Sequence, residues 1–101
     1  MSDKYLLDAN GEPVRCDDLL EWARAFETTN RLVALDRVGE VGISTVFLGL
    51  DYSFGEGLPV LWETMIFGGP HDGYQDRYTS RVEALAGHAK AVELVRSRDD
   101  H

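Results

Sequence analysis

Residues 41–69, VGISTVFLGLDYSFGEGLPVLWETMIFGG, hold two long apolar runs separated by a loop that can continue neither of them. Ile43-Ser44-Thr45-Val46-Phe47-Leu48 and Val60-Leu61-Trp62-Glu63-Thr64-Met65-Ile66-Phe67 are rich in the branched and aromatic side chains that suit a pleated sheet. Between them, Ser53-Phe54-Gly55-Glu56-Gly57-Leu58-Pro59 carries two glycines and a proline, which break both helix and strand. The stretch reads as a broad hairpin at the centre of a small antiparallel sheet.

Working outward, residues 31–38 read as the preceding strand and Gly39-Glu40 as a two-residue, glycine-first turn. That turn sets Val38 opposite Val41, Asp36 opposite Ile43, Ala34 opposite Thr45 and Leu32 opposite Phe47. On the other face it sets Leu35 beside Ser44 and Val33 beside Val46. Both faces then carry apolar residues, more than two modest helices can cover, and the expectation is a homodimer.

Two helices flank this centre. Asp18-Leu19-Leu20-Glu21 resembles a capping box opening a helix over 17–27, with Trp22 and Phe26 as its pegs on the sheet. Ser80-Arg81-Val82-Glu83 is a second capping box, opening a helix over 80–96. Val82, Leu85, Ala86, Ala89 and Val92 form its apolar stripe. Near the N-terminus, Asn10-Gly11 between apolar residues signals a small hairpin, with Pro13 keeping its second arm short. The expected fold is one α+β domain over residues 1–101: a small antiparallel sheet centred on the hairpin 41–68, two helices packed on it, and a frayed tail at 97–101.

Composition narrows the chemistry. With 44% hydrophobic and 28% charged residues the chain is ordinary globular sequence, and 10 basic against 18 acidic residues give a formal charge of −8. Such a chain is repelled by phosphate backbones, so no direct nucleic-acid binding is expected. The acids are scattered and read as a solvated surface; mimicry of DNA phosphates would require them to converge in space. One cysteine, Cys16, excludes an internal disulfide and fits a reducing compartment. No apolar run reaches the ~18–20 residues of a membrane span. Cytoplasm is the expected location.

The polar candidates are Asp51, Glu63, His71, Asp72, Arg77 and His88. Glu63 stands inside an apolar strand, where a carboxylate needs a partner, and Arg77 is the residue able to grip it through two hydrogen bonds. Glu63 and Arg77 are therefore expected as a structural pair. Phe54-Gly55-Glu56-Gly57 lacks the lysine and helix of a phosphate cradle. No histidine spacing suits a metal, so neither a metal nor any other cofactor is expected. Tyr52, Phe54, Trp62, Tyr74 and Tyr78 gather at the hairpin's loops, where aromatics with glycine provide rigid contact area. Phe54, Tyr74, Tyr52 and Tyr78, with Asp51 and His71, form the expected binding set, and no catalytic group is assigned.

The wording STVFLGLDYSFGEG, LWETMIFGG and DGYQDRYTSRVEALAGHAKAV resembles a family of small uncharacterised proteins of tailed bacteriophages and prophages. The resemblance spans about residues 5–92. In that family an aspartate-histidine step follows the first long strand; here it is Asp51-Tyr52, so no histidine role carries over. The resemblance implies a phage setting inside a host cell and transfers no activity. The expected function is a non-enzymatic accessory protein binding a host protein, with inhibition of a defence system in view. A nucleotide-binding or sequestering protein is the alternative, and a small hydrolase using Asp51, Glu63 or His71 the third reading.

Overall fold

The computed structural model describes residues 3–53 and 57–99, and side chains as far as Ser97. A short ribbon comes first: β1 (Tyr5–Leu7) pairs antiparallel with β2 (Pro13–Arg15). Its turn is closed by Asp8, whose Oδ1 accepts from the backbone N–H groups of Asn10 and Glu12. Helix α1 (Leu19–Thr28) follows, and the Asp18 side chain caps it by accepting from the N–H groups of Leu20 and Glu21.

The four-stranded sheet is a meander in the order β3 (Leu32–Val38), β4 (Val41–Phe47), β5 (Trp62–Phe67) and β6 (Gln75–Tyr78), antiparallel throughout. Helix α2 (Arg81–Asp99) returns across one face. Ser80 and Glu83 cap α2 reciprocally: the Glu83 N–H donates to Ser80 Oγ, and the Ser80 hydroxyl donates to Glu83 Oε1. The α+β class, with antiparallel strands and two helices, is as the sequence indicates.

Strand pairing follows the expected register from Val38↔Val41 through Asp36↔Ile43 to Ala34↔Thr45. It then departs: a bulge at Val33 puts Leu32 opposite Val46 instead of Phe47. Val33 consequently packs inward against the core cluster of Tyr5, Phe47, Leu61, Trp62 and Ala84. A second cluster, Ile43, Ile66, Ala91, Val92 and Val95, fills the other end of the layer under α2.

The helices differ from expectation in their seats. α1 packs on β1 and makes no contact with the four-stranded sheet. Trp22 Nε1 donates to the Tyr5 carbonyl at 3.1 Å, and Phe26 lies against Gly49. Gly49 has φ +78°, and a Cβ there would stand 2.2 Å from Phe26 Cε1, so both backbone and space require glycine. The buried stripe of α2 is Ala84, His88, Ala91, Val92 and Val95, whereas Val82, Leu85, Ala86 and Ala89 are exposed. Ala84 and Gly87 explain the rotation. They have almost no side chain, so the helix backbone comes down onto the sheet until Gly87 meets the Tyr78 hydroxyl. α2 also continues through Asp99, into the segment expected to fray.

Candidate functional site

Three places concentrate polar or unpartnered groups. The first is inside the layer under α2. His88 is buried, and its ring joins the helix to two strands: Nε2 lies 2.7 Å from Asp36 Oδ2 on β3, and Nδ1 lies 2.7 Å from Thr45 Oγ1 on β4. Thr45 in turn shares a short hydrogen bond with Thr64 on β5. For a neutral imidazole the network fixes the protons: Nε2–H donates to the Asp36 carboxylate, and the Thr45 hydroxyl donates to Nδ1. A hydroxyl, an imidazole and a carboxylate in a row is the constellation of an activated nucleophile. Here both threonines are wholly buried, so a substrate atom has no approach to Thr45. The row fastens α2 to the sheet. Two neighbouring atoms stay without a hydrogen-bond partner among the described residues, Trp62 Nε1 and Tyr78 Oη. Burial pushes the Tyr78 phenol up; the nearby Thr64 hydroxyl pulls the other way but is committed to Thr45.

The second place is the sheet's opposite face, which no described helix covers. Leu35 and Phe67 are exposed there at 63% and 51%, with Ser44, Val46 and Met65 half-buried between them. At its β5–β6 end, Glu63 and Arg77 are direct cross-strand partners. Glu63 Oε2 accepts from Arg77 Nε at 2.8 Å and from Gln75 Nε2 at 2.6 Å. The two donors cover the carboxylate, which is 8% exposed although no helix lies above it. Arg77 also stacks on the Tyr52 ring, 4.8 Å from its centroid. Tyr52, Arg77, Glu63 and Gln75 thus form one continuous row.

The third place is the edge at β3. It is seven residues long, carries no proline, and pairs with no strand on its outer side among the described residues. α2 overhangs it with apolar side chains. At about 100° per residue, Leu85, Ala89 and Val82 fall on the side of the axis where His88 reaches Asp36, while Gly87 against Tyr78 of β6 falls on the other. Val82 is 78% exposed and Leu85 43%.

Of the residues singled out from the sequence, the structure brings together Tyr52, Arg77 and Glu63. Asp51 is adjacent but turned to the backbone, its Oδ1 accepting from the N–H groups of Ser53 and Val60. Burial raises the Asp51 carboxyl, and those two hydrogen bonds, with the Ser53 hydroxyl and the charge of Arg15, together outweigh it and leave the group below the usual carboxylate range. Tyr78 belongs to the core layer, and Tyr74, just before β6, packs on the second core cluster, so both rings are half-buried. His71 sits in the β5–β6 turn, where its carbonyl accepts from the Tyr74 N–H. Phe54 lies outside the described residues. Asp51, Glu63 and His71 have separate roles and do not converge. Among the described residues no three histidine, cysteine or acidic side chains gather as a metal site.

His88 was among the polar candidates read from the sequence, but its partners Asp36, Thr45 and Thr64 were not. The available signal was the polar residue at the centre of the Ala84, Ala91, Val95 spacing.

Among the described residues, fold and surface together define an α+β protein with one covered sheet face, one open face and a long unpaired edge at β3. Comparison with protein-family models, with curated proteins and with solved structures gives no match for this chain. No described helix is long and apolar enough to cross a membrane.

Proposed function

We propose that this protein acts by binding, as a phage or prophage accessory protein that engages a host protein in the host cytoplasm through the open face of its sheet. The observation that carries this reading is the uncovered face itself: Leu35, Phe67, Met65 and Val46 flank the row Tyr52, Arg77, Glu63 and Gln75. Apolar anchors beside an arginine and a tyrosine have the make-up of a binding hot spot. The charge of −8 steers a basic partner toward it. A role in blunting a host defence belongs to this reading.

The β3 edge supports a second element, a twofold homodimer. Antiparallel pairing of β3 with β3 of another copy, centred on Leu35, satisfies both edges and brings the two α2 flanks together. It also joins two open faces into one platform of eight strands.

Affinity capture from host lysate, with the Phe67→Asp variant run beside the wild type, tests the first element. A single host protein retained by the wild type and lost with the variant is the expected result; equal retention by both refutes the open face as the site. Light scattering tests the second: about twice the chain mass is expected, and a monomer at micromolar concentration refutes it.

A further inference from the structure

A cleft lies away from the open face, at the junction of the N-terminal ribbon, the α1–β3 link and the start of α2. Its volume is about 400 Å³, and its walls include Asp8, Gly11, Asn30, Arg31, Leu32 and Arg81. That is within the ~300–1,000 Å³ of small-ligand sites. The two arginines come from segments fifty positions apart in the chain.

Both guanidinium groups are held in place by contacts that leave their charge uncompensated. Arg31 lies over the Phe26 ring at 4.0 Å, a contact to the flat face of the fork that leaves its edge donors free. Arg81 runs over Gly11: a Cβ there would stand 3.2 Å from Arg81 Nη1, and Gly11 has φ +79°. Glycine thus closes the ribbon's turn and makes room for the guanidinium above it. Among the described residues neither arginine has a carboxylate within 4.0 Å; Arg24 and Arg37 share that state, but only Arg31 and Arg81 line this cleft together. The acid in the cleft, Asp8, uses Oδ1 to accept from the Asn10 and Glu12 N–H groups. Asn30 Oδ1 accepts from the Leu32 N–H, which leaves the Asn30 amide group as a further donor. In a chain of charge −8, this cleft gathers two such arginines in one concavity.

We propose that this cleft binds a phosphate monoester with a compact organic body, the phosphate gripped between Arg31 and Arg81 and the body lying on Leu7, Leu32 and Val33. Two guanidinium forks match the several oxygens of a phosphate, and the apolar wall distinguishes an ester from the bare ion. The proposal is independent of the open-face reading, because it involves none of the same residues.

Isothermal titration of the full chain with adenosine 5′-monophosphate, ribose 5-phosphate, inorganic phosphate and adenosine tests it. The expected result is saturable binding of one or both esters, at least tenfold weaker binding of inorganic phosphate and adenosine, and affinity that falls as salt is added. Arg81→Gln and Arg31→Gln should each weaken ester binding tenfold or more. Arg24→Gln, on the exposed side of α1, should leave it unchanged. Both arginines of the cleft are exposed, and circular dichroism verifies that the variants fold. No binding of either ester at millimolar concentration, binding of adenosine as tight as of its phosphate, or wild-type affinity in the Arg81→Gln variant would each overturn the proposal.

Discussion

The two faces of the four-stranded sheet are built from alternate residues of the same strands, yet they meet opposite surroundings. On one face Ile43, Thr45, Phe47, Trp62, Thr64 and Ile66 are buried under α2 and the ribbon. On the other, Leu35 and Phe67 face solvent and Glu63 is covered by its own neighbours Gln75 and Arg77. One helix suffices for one face. Burial here is set by which parity α2 finds, and no described element covers the apolar side chains of the open parity.

The sharpest way to break the comparison is to make matched truncations on the two faces. Ile66→Ala, at a fully buried position, should cost about 2–5 kcal/mol in urea unfolding, because it leaves a cavity against Ala91 and Val95. Phe67→Ser, one residue on, should change stability by no more than about 0.5 kcal/mol. Equal costs would mean that the open face is covered in solution.

His88→Leu should cost about 1–3 kcal/mol, since Thr45 loses its imidazole partner inside the layer. Adding Thr45→Val should then cost less than it does alone, and a double-mutant cycle measures the coupling. Strict additivity would mean that the row from Asp36 to Thr64 is not one unit. On the open side, Glu63→Gln should cost about 1 kcal/mol, as Arg77 is half in solvent and screened there.

Acid sensitivity gives a smaller signal. The carboxyls of Asp51 and Glu83 are both held below their ordinary values, Glu83 by the Thr79 and Ser80 hydroxyls. A depressed folded-state pKa contributes stability that is present above the unfolded-state pKa and lost as pH falls through the folded-state value. Thermal unfolding from neutral pH to below about pH 4 should therefore show a falling midpoint. Asp51→Asn should make that fall shallower. The smallest effect on stability is expected for Leu35→Lys, within about 0.5 kcal/mol, although it should halve the mass seen by light scattering if β3 is the dimer edge.

What was legible in the sequence was local. The turn at Gly39-Glu40, the caps at Asp18 and Ser80 and the hairpin from β4 to β5 each depend on residues close together in the chain. The Glu63–Arg77 contact was legible because an acid in an apolar strand demands a partner and one arginine follows at hairpin distance. Two features were not. α2 carries two overlapping apolar stripes, and the one expected as core, Val82, Leu85, Ala86, Ala89 and Val92, is exposed except at Val92. The other stripe wins because Ala84 and Gly87 permit close approach and because His88 finds Asp36, fifty-two positions away. The Val33 bulge was hidden for a related reason: nothing in the strand itself marks the extra residue, which follows from packing against Phe47 and Trp62.

The meander has a kinetic consequence. Every strand of the larger sheet pairs with its neighbour in the chain, and the first loop to close is the two-residue turn between β3 and β4, ahead of the longer β4–β5 connection. The contacts from α2 to β3, and from the ribbon to Gly49 and to the start of α2, close much longer loops. The order of assembly should follow: strands 3 to 5 zip from the turn at Gly39, then α2 docks, with the ribbon joining last. Rate measurements on conservative variants should find Ser44 and Ile43 engaged in the rate-limiting barrier, and Val95 and Tyr5 engaged only after it.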